Sequence, residues 1–435
     1  MNVTFLAAIL AIMGLAPAAA YVFGRRVDPF NPAIFVGGIT FGACAYKPLR
    51  YTKACLAYVK PGELSFYLLV CVISLAAFYL GCLYARRRGA KQPPRGVGDF
   101  AAYNPSRLLV AGLIFAAVAD ASYVITYHHY RASGYIRDLS ALRLPAAILC
   151  LQAALLDRRH LRAATVGVLM GIGPSVARFI TYGGRAVTVE MFLLPLVAFL
   201  FWGRRPPKVA LLAVALIGGL TVHYLAETRS IIGEGLASNR VSALILAFKG
   251  QPGAGAHAGT GTAALDGAAE MATVRRLQNY DKGGVLWNFA IEFLPHAWFP
   301  GKYSYATAWD LQPRIKMVAR TTTFREAPGS APTGYADVFI EIAWLAPVAW
   351  FFLGWWAWAT YGRAAVKRDM AFQGYYIVLL FALLYLVAQM IFPFLQNWLF
   401  SIVPLALVYW QCRELAPASS PGRGRVPIRG PASAR

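Results

Sequence analysis

Apolar runs of about twenty residues, many stopped by a short cluster of arginine or lysine, recur along most of this chain, and nothing else restricts its fold as much. The run from Val3 to Phe23 ends at Arg25-Arg26, and the run from Leu64 to Tyr84 at Arg86-Arg87-Arg88. A run of this length crosses the hydrocarbon core of a bilayer as a helix, whereas a membrane β-barrel shows alternating segments of about ten residues. The runs are continuous, so the expected class is all-α. Composition agrees: 58% of residues are hydrophobic and 14% charged, with mean hydropathy +0.51, far more apolar than a soluble domain.

Read in order, the chain predicts about eleven spans. They cover Val3 to Phe23, Phe30 to Tyr46, Leu64 to Tyr84, Leu108 to Tyr127, Leu144 to Leu156, Ala164 to Ile180, Ala186 to Trp202 and Val209 to Tyr224. After a long polar stretch come Val338 to Trp358, Tyr375 to Ile391 and Trp398 to Trp410. This divides the chain into an N-terminal bundle (1–223), a large loop (224–337), a C-terminal group of spans (338–412) and a basic tail (413–435). Arg25-Arg26, Arg86 to Arg88, Arg158-Arg159, Arg204 to Lys208, Arg363 to Arg368 and the tail then fall on one side, the cytoplasm by the bias of Lys and Arg in short loops. The long loop lies outside, on the periplasmic face in a bacterium. Lys47, Arg50, Lys53, Lys60, Arg131 and Arg137 run against that bias. An anionic ligand at the outer surface would account for them.

The formal net charge of +23 raises nucleic acid as a partner, but the basic residues sit between apolar runs rather than on a soluble domain, which excludes that class. The six cysteines show no Cys-x-x-Cys pair and suggest neither disulfides nor a zinc site. The first run lacks the basic residues that precede a signal peptide's apolar core, so it is read as a span. The Pro/Gly/Ser/Arg-rich tail is expected to be disordered or to lie on anionic lipid headgroups. Residues 250–267 are Gly/Ala/Thr low complexity and read as a flexible segment.

The large loop holds much of the ionisable chemistry. Val285 to Leu294 is too short to span but suits an interfacial helix, and it leads into Pro295-His296. Around it lie Arg229, Arg240, Arg275, Arg276, Lys282, Lys302, Arg314, Lys316, Arg320 and Arg325. Such an excess of fixed cations suits a polyanion such as pyrophosphate, because guanidinium groups bind phosphate oxygens bidentately. The plainer alternative is a solvated basic loop facing anionic lipid. His296 could serve as a general base at neutral pH or simply as a hydrogen-bonding surface residue. Arg185, at the hairpin tip Thr181-Tyr-Gly-Gly-Arg185, is either an interface anchor or a phosphate ligand. No Asp-x-Asp, His-Glu-x-x-His or phosphate-binding Gly-rich loop occurs, so no metal, ATP or other cofactor is read.

Several of these stretches resemble the Wzy-type O-antigen polymerases, which are related to the O-antigen ligases. Asp28-Pro-Phe-Asn-Pro32 with Lys47-Pro48-Leu49 is similar to that family's N-terminal pattern, and Tyr182-Gly-Gly-Arg185 to its Gly-Ser-Arg hairpin. Leu294-Pro-His296-Ala-Trp-Phe-Pro300-Gly-Lys302 is similar to its Pro-Arg…Pro-x-Lys-Pro motif, with histidine in place of the arginine and Tyr303 in place of the last proline. Pro332-Thr-Gly-Tyr335-Ala-Asp337 looks like the segment that follows it.

The resemblance implies a GT-C-like helical membrane fold and an inner-membrane glycosyltransferase that needs no metal. It would join undecaprenyl-pyrophosphate-linked repeat units, donor to acceptor, at the periplasmic face, with chain length set by a separate regulator protein. Arg185, Arg276 and Arg320 would neutralise the pyrophosphate, Lys302, Arg325 and Arg229 would help bind it, and His296 or Asp337 would take the acceptor proton. Tyr335, Trp298 and Tyr303 would be sugar-facing aromatics, or else members of an interfacial belt. Two other readings stay open: a ligase transferring the same donor to lipid A core, and a lipid-linked oligosaccharide flippase.

Overall fold

The computed structural model describes residues 2–24, 28–57, 59–89, 102–128, 139–182, 263–278, 280–292, 332–366 and 368–413, with a few single residues between them. These are helical throughout, with no strand among them. Among the described residues seven helical stretches are long and apolar enough to cross a membrane, which makes this a multi-pass helical membrane protein.

The described helices are α1 (Val3–Phe23), α2 (Pro32–Thr40), α3 (Tyr46–Arg50), α4 (Thr52–Leu56), α5 (Pro61–Gly89), α6 (Pro105–His128), α7 (Arg143–Leu156) and α8 (Leu161–Tyr182). They continue as α9 (Ala263–Leu277), α10 (Gly284–Glu292), α11 (Gly334–Ile342), α12 (Ala346–Tyr361), α13 (Met370–Ala388) and α14 (Ile391–Cys412). The predicted first span coincides with α1, and the third to sixth fall inside α5 to α8. The seventh and eighth, apart from single residues such as Leu200, Phe201 and Val209, lie outside the described residues.

Two predicted spans are built differently from a straight helix. The second continues from α2 through a π-helical turn, Phe41–Ala45, into α3. The ninth is split: α11 ends at Ile342, Ala343 takes a positive φ of 50°, and α12 starts afresh with Pro347 in its first turn. Proline suits that position because a first-turn N–H has no intrahelical partner to lose. Ala263 to Gly267, part of the stretch expected to be flexible, instead open α9, which is buried along most of its length.

Helix starts are written in the local sequence. Asn2, Asn31 and Asp369 each accept backbone N–H bonds as N-caps of α1, α2 and α13. Small residues let helices approach closely, as expected where lipid gives no hydrophobic drive to association. A β-carbon on Gly81 of α5 would stand 2.0 Å from the Phe351 carbonyl oxygen of α12, and one on Gly354 of α12 would stand 2.0 Å from that of Phe78. The Cys82 thiol adds a bond to the Gly354 carbonyl at 3.3 Å.

The core has two lobes. One gathers α1, α2, α5, α9, α11 and α12 around Tyr67, Phe78, Tyr335 and Trp350. The other gathers α6, α7 and the distal part of α14, and α13 contributes to both. At the end carrying Arg86–Arg88, Arg158, Arg159 and Arg363, here the arginine end, polar bonds hold the second lobe together. Tyr376 donates to the Phe30 carbonyl, Gln152 to that of Met370 at 2.9 Å, and the backbone N–H of Asn104 to that of Cys412 at 3.1 Å.

Candidate functional site

The opposite end of the bundle holds a concentration of buried polar groups, organised by the short helix α11. Its two carboxylates, Asp337 and Glu341, are one helical turn apart and therefore share a face. Both are buried. Asp337 Oδ2 accepts from the backbone N–H of Ile391, the first residue of α14, at 2.8 Å. Glu341 accepts from the N–H of Val285, in the first turn of α10, at 3.3 Å to Oε1 and 3.2 Å to Oε2. Each carboxylate thus caps another helix, where an orphan donor and the positive end of the dipole favour a negative charge. The chain between α9 and α10 also docks on α11, with the N–H groups of Asp281 and Gly283 donating to the carbonyls of Ile340 and Glu341.

A layer of neutral polar bonds lies beside these caps. Tyr335 and Thr40 share a hydroxyl–hydroxyl bond of 2.7 Å, and Tyr67 and Thr333 one of 2.9 Å. The Tyr335 ring stacks on Trp350 with centroids 4.4 Å apart. Helix α9 fits into this layer because Gly267 is small: a β-carbon there would come within 2.9 Å of the Tyr67 ring and 3.0 Å of Ala336 Cβ. It brings two more carboxylates, Asp266 and Glu270, into the interior.

Exposed charge at this end has the opposite sign. Arg50, Lys53, Lys60, Arg275, Arg276 and Lys282 are exposed, and Lys47 is half-buried. Some are held in place: Arg276 pairs with Glu63, Arg275 lies 3.7 Å from the centroid of the Phe66 ring, and Arg50 donates to the Tyr46 hydroxyl. Apart from Arg143, buried beside the Tyr385 hydroxyl, the described cations at this end face out while Asp266, Glu270, Asp337 and Glu341 are turned inward, an arrangement that presents positive charge to whatever meets this surface.

Of the residues expected at the site, Asp337, Tyr335, Arg276 and Trp298 are described; the first three belong to this end, and Trp298 is exposed. Tyr335 is fully buried, with its ring on Trp350 and its hydroxyl on Thr40, so it acts in packing. The guanidinium of Arg276 is engaged by Glu63. His296, Arg185, Arg320, Lys302, Arg325 and Arg229 lie outside the described residues.

Glu341 and Glu63 are not among the residues expected at the site from sequence. Glu341 carried a signal nonetheless, since an acid four residues after another inside an apolar span is too costly to be incidental. Among the described residues no group of three or more His, Cys, Asp or Glu is arranged to hold a metal ion. Compared with family models, curated proteins and solved structures, the chain matches none.

Proposed function

We propose that this protein is an inner-membrane glycosyltransferase that polymerises undecaprenyl-pyrophosphate-linked oligosaccharide repeat units at the periplasmic face. The observation that carries the reading is the charge segregation at one end of the bundle. Exposed Arg50, Lys53, Lys60, Arg275, Arg276 and Lys282 surround an interior whose acids are turned away from them. A rim of that kind suits a lipid-borne pyrophosphate, and the stretches that resemble the polymerase family supply residues to the same end through Lys47 and α11.

In the proposed reaction the acceptor hydroxyl oxygen attacks the anomeric carbon of the donor sugar. The bond from that carbon to the pyrophosphate oxygen breaks, and the electron pair leaves with the pyrophosphate. Arg185, Arg320, Arg276, Lys302, Arg325 and Arg229 are the fixed cations assigned to that growing negative charge. His296 receives the acceptor proton. We assign the base to His296 and not to Asp337 because Asp337 accepts from the Ile391 N–H and holds the start of α14. In-line displacement inverts the anomeric centre.

The test is glycan extension by the purified protein supplied with a lipid-pyrophosphate-linked repeat unit. Wild type should lengthen the glycan, and His296→Ala, Arg185→Ala and Arg320→Ala should lose extension while keeping the wild-type unfolding temperature. Transfer only when lipid A core is added would make the protein a ligase. No turnover with either acceptor, together with movement of the lipid-linked substrate between leaflets of a vesicle, would make it a flippase.

A further inference from the structure

A second site lies at the arginine end, away from the charge-segregated surface. The first three turns of α6 and the last two turns of α14 leave a groove of about 510 Å³ between them, lined by Ser106, Arg107, Val110, Ala111, Ile114, Val408, Gln411 and Cys412. Its character changes along its length. Arg107, Val110, Ala111 and Ile114 recur at the spacing of one helix face, so the groove follows the α6 axis for roughly 10 Å from its charged mouth to its apolar end. Val110 and Ile114 are each 55% exposed, and Val408 closes the far wall. At the mouth, Arg107 and Gln411 are exposed.

The Arg107 guanidinium has no carboxylate partner among the described residues. Ser106 by contrast is engaged, its hydroxyl 3.1 Å from His160 Nε2. Arg158, Arg159, Arg162 and Arg413 are exposed at the same end, against Asp157 and Asp369 as the nearby acids. A cation at the mouth of an apolar furrow that runs along a membrane helix matches one kind of molecule, with a negative head and a hydrocarbon tail. We propose that this groove binds an anionic phospholipid, the phosphate against Arg107 and Gln411 and an acyl chain along Val110, Ala111, Ile114 and Val408. The chain's own basic tail, which leaves the bundle beside the groove at Arg413, is a poor occupant because its arginines meet Arg107 with like charge.

Native mass spectrometry of the full-length protein with phosphatidylglycerol and with phosphatidylcholine tests this. Wild type should retain phosphatidylglycerol preferentially, and Arg107→Gln should lower that retention about five-fold, as loss of one cation near a lipid headgroup implies. Arg162→Gln, at the same end but outside the groove, should leave it unchanged. Equal retention by Arg107→Gln and wild type, or an equal loss in Arg162→Gln, would overturn the site. A photoreactive amino acid replacing Val110 should cross-link to lipid; cross-linking to residues 414–435 instead would make the tail the occupant and sink the proposal.

Discussion

Asp337 shows how a single side chain can be legible in type while two tasks compete for it. An acid at the start of an apolar span invites a catalytic reading, yet its oxygen is 2.8 Å from the Ile391 N–H and completes the start of α14. The two tasks make different demands. A cap needs only an acceptor oxygen, which asparagine also has, whereas a base needs a carboxylate. Asp337→Asn should therefore keep the fold and most of the glycan-extension rate. Asp337→Ala should lose about 1.5–3 kcal/mol of stability, the usual scale for a hydrogen bond to a charged group, read as a lower midpoint in thermal or denaturant unfolding in detergent. Loss of extension in Asp337→Asn at unchanged stability would return the base to this residue. Tyr335 poses the same choice: aromatic and polar at a span boundary, it fits either a sugar or a neighbour, and in the fold its ring meets Trp350 and its hydroxyl Thr40. What was readable was that residues 335–337 matter. Their partners come from α2, α12 and α14, and no local pattern brings those together.

Elements were easier to read than sites, because span length and basic stops are local properties. The first span was read to the residue and α5 to within a few residues at either end. Errors arose where the helix changes type without becoming polar. The π-helical turn at Phe41–Ala45 has no marker in hydropathy. The break at Ala343 had one in Pro347, but the apolar run continues across it. Contacts between elements were harder still. The α5–α12 pair rests on Gly81 and Gly354, each of which leaves no room for a side chain against a facing carbonyl. Gly81→Val or Gly354→Val should force the two helices apart at a cost of about 1–3 kcal/mol or more. Gly38, on α2, has open space where its β-carbon would be. Gly38→Ala should be neutral or stabilising by up to about 1 kcal/mol through lower backbone entropy in the unfolded chain. Unfolding midpoints of the three variants in one detergent check this, and equal losses in all three would mean that α5 and α12 do not rely on this contact.

At the scale of the whole molecule, the two ends of the bundle differ in how many cations they show, and that difference sets its orientation. Arg86 to Arg88, Arg107, Arg158, Arg159, Arg162, Arg363, Arg368 and Arg413 belong to one end, next to a tail that adds further arginines. Insertion holds such clusters on the cytoplasmic side. The other end also carries cations, Lys47, Arg50, Lys53, Lys60, Arg275, Arg276 and Lys282, but among the described residues they are outnumbered. Orientation should follow the larger set, placing the tail inside and the charge-segregated surface outside. All six native cysteines are buried, so introduced cysteines can be labelled over a low background. In intact cells a membrane-impermeant maleimide should modify Lys53→Cys and spare Arg88→Cys, and the pattern should disappear once the membrane is permeabilised and both react. The reverse pattern would put the cationic rim in the cytoplasm. The proposed polymerisation at the outer face would then fail with it, whereas the groove at Arg107 would still face a lipid headgroup and its lipid preference would survive.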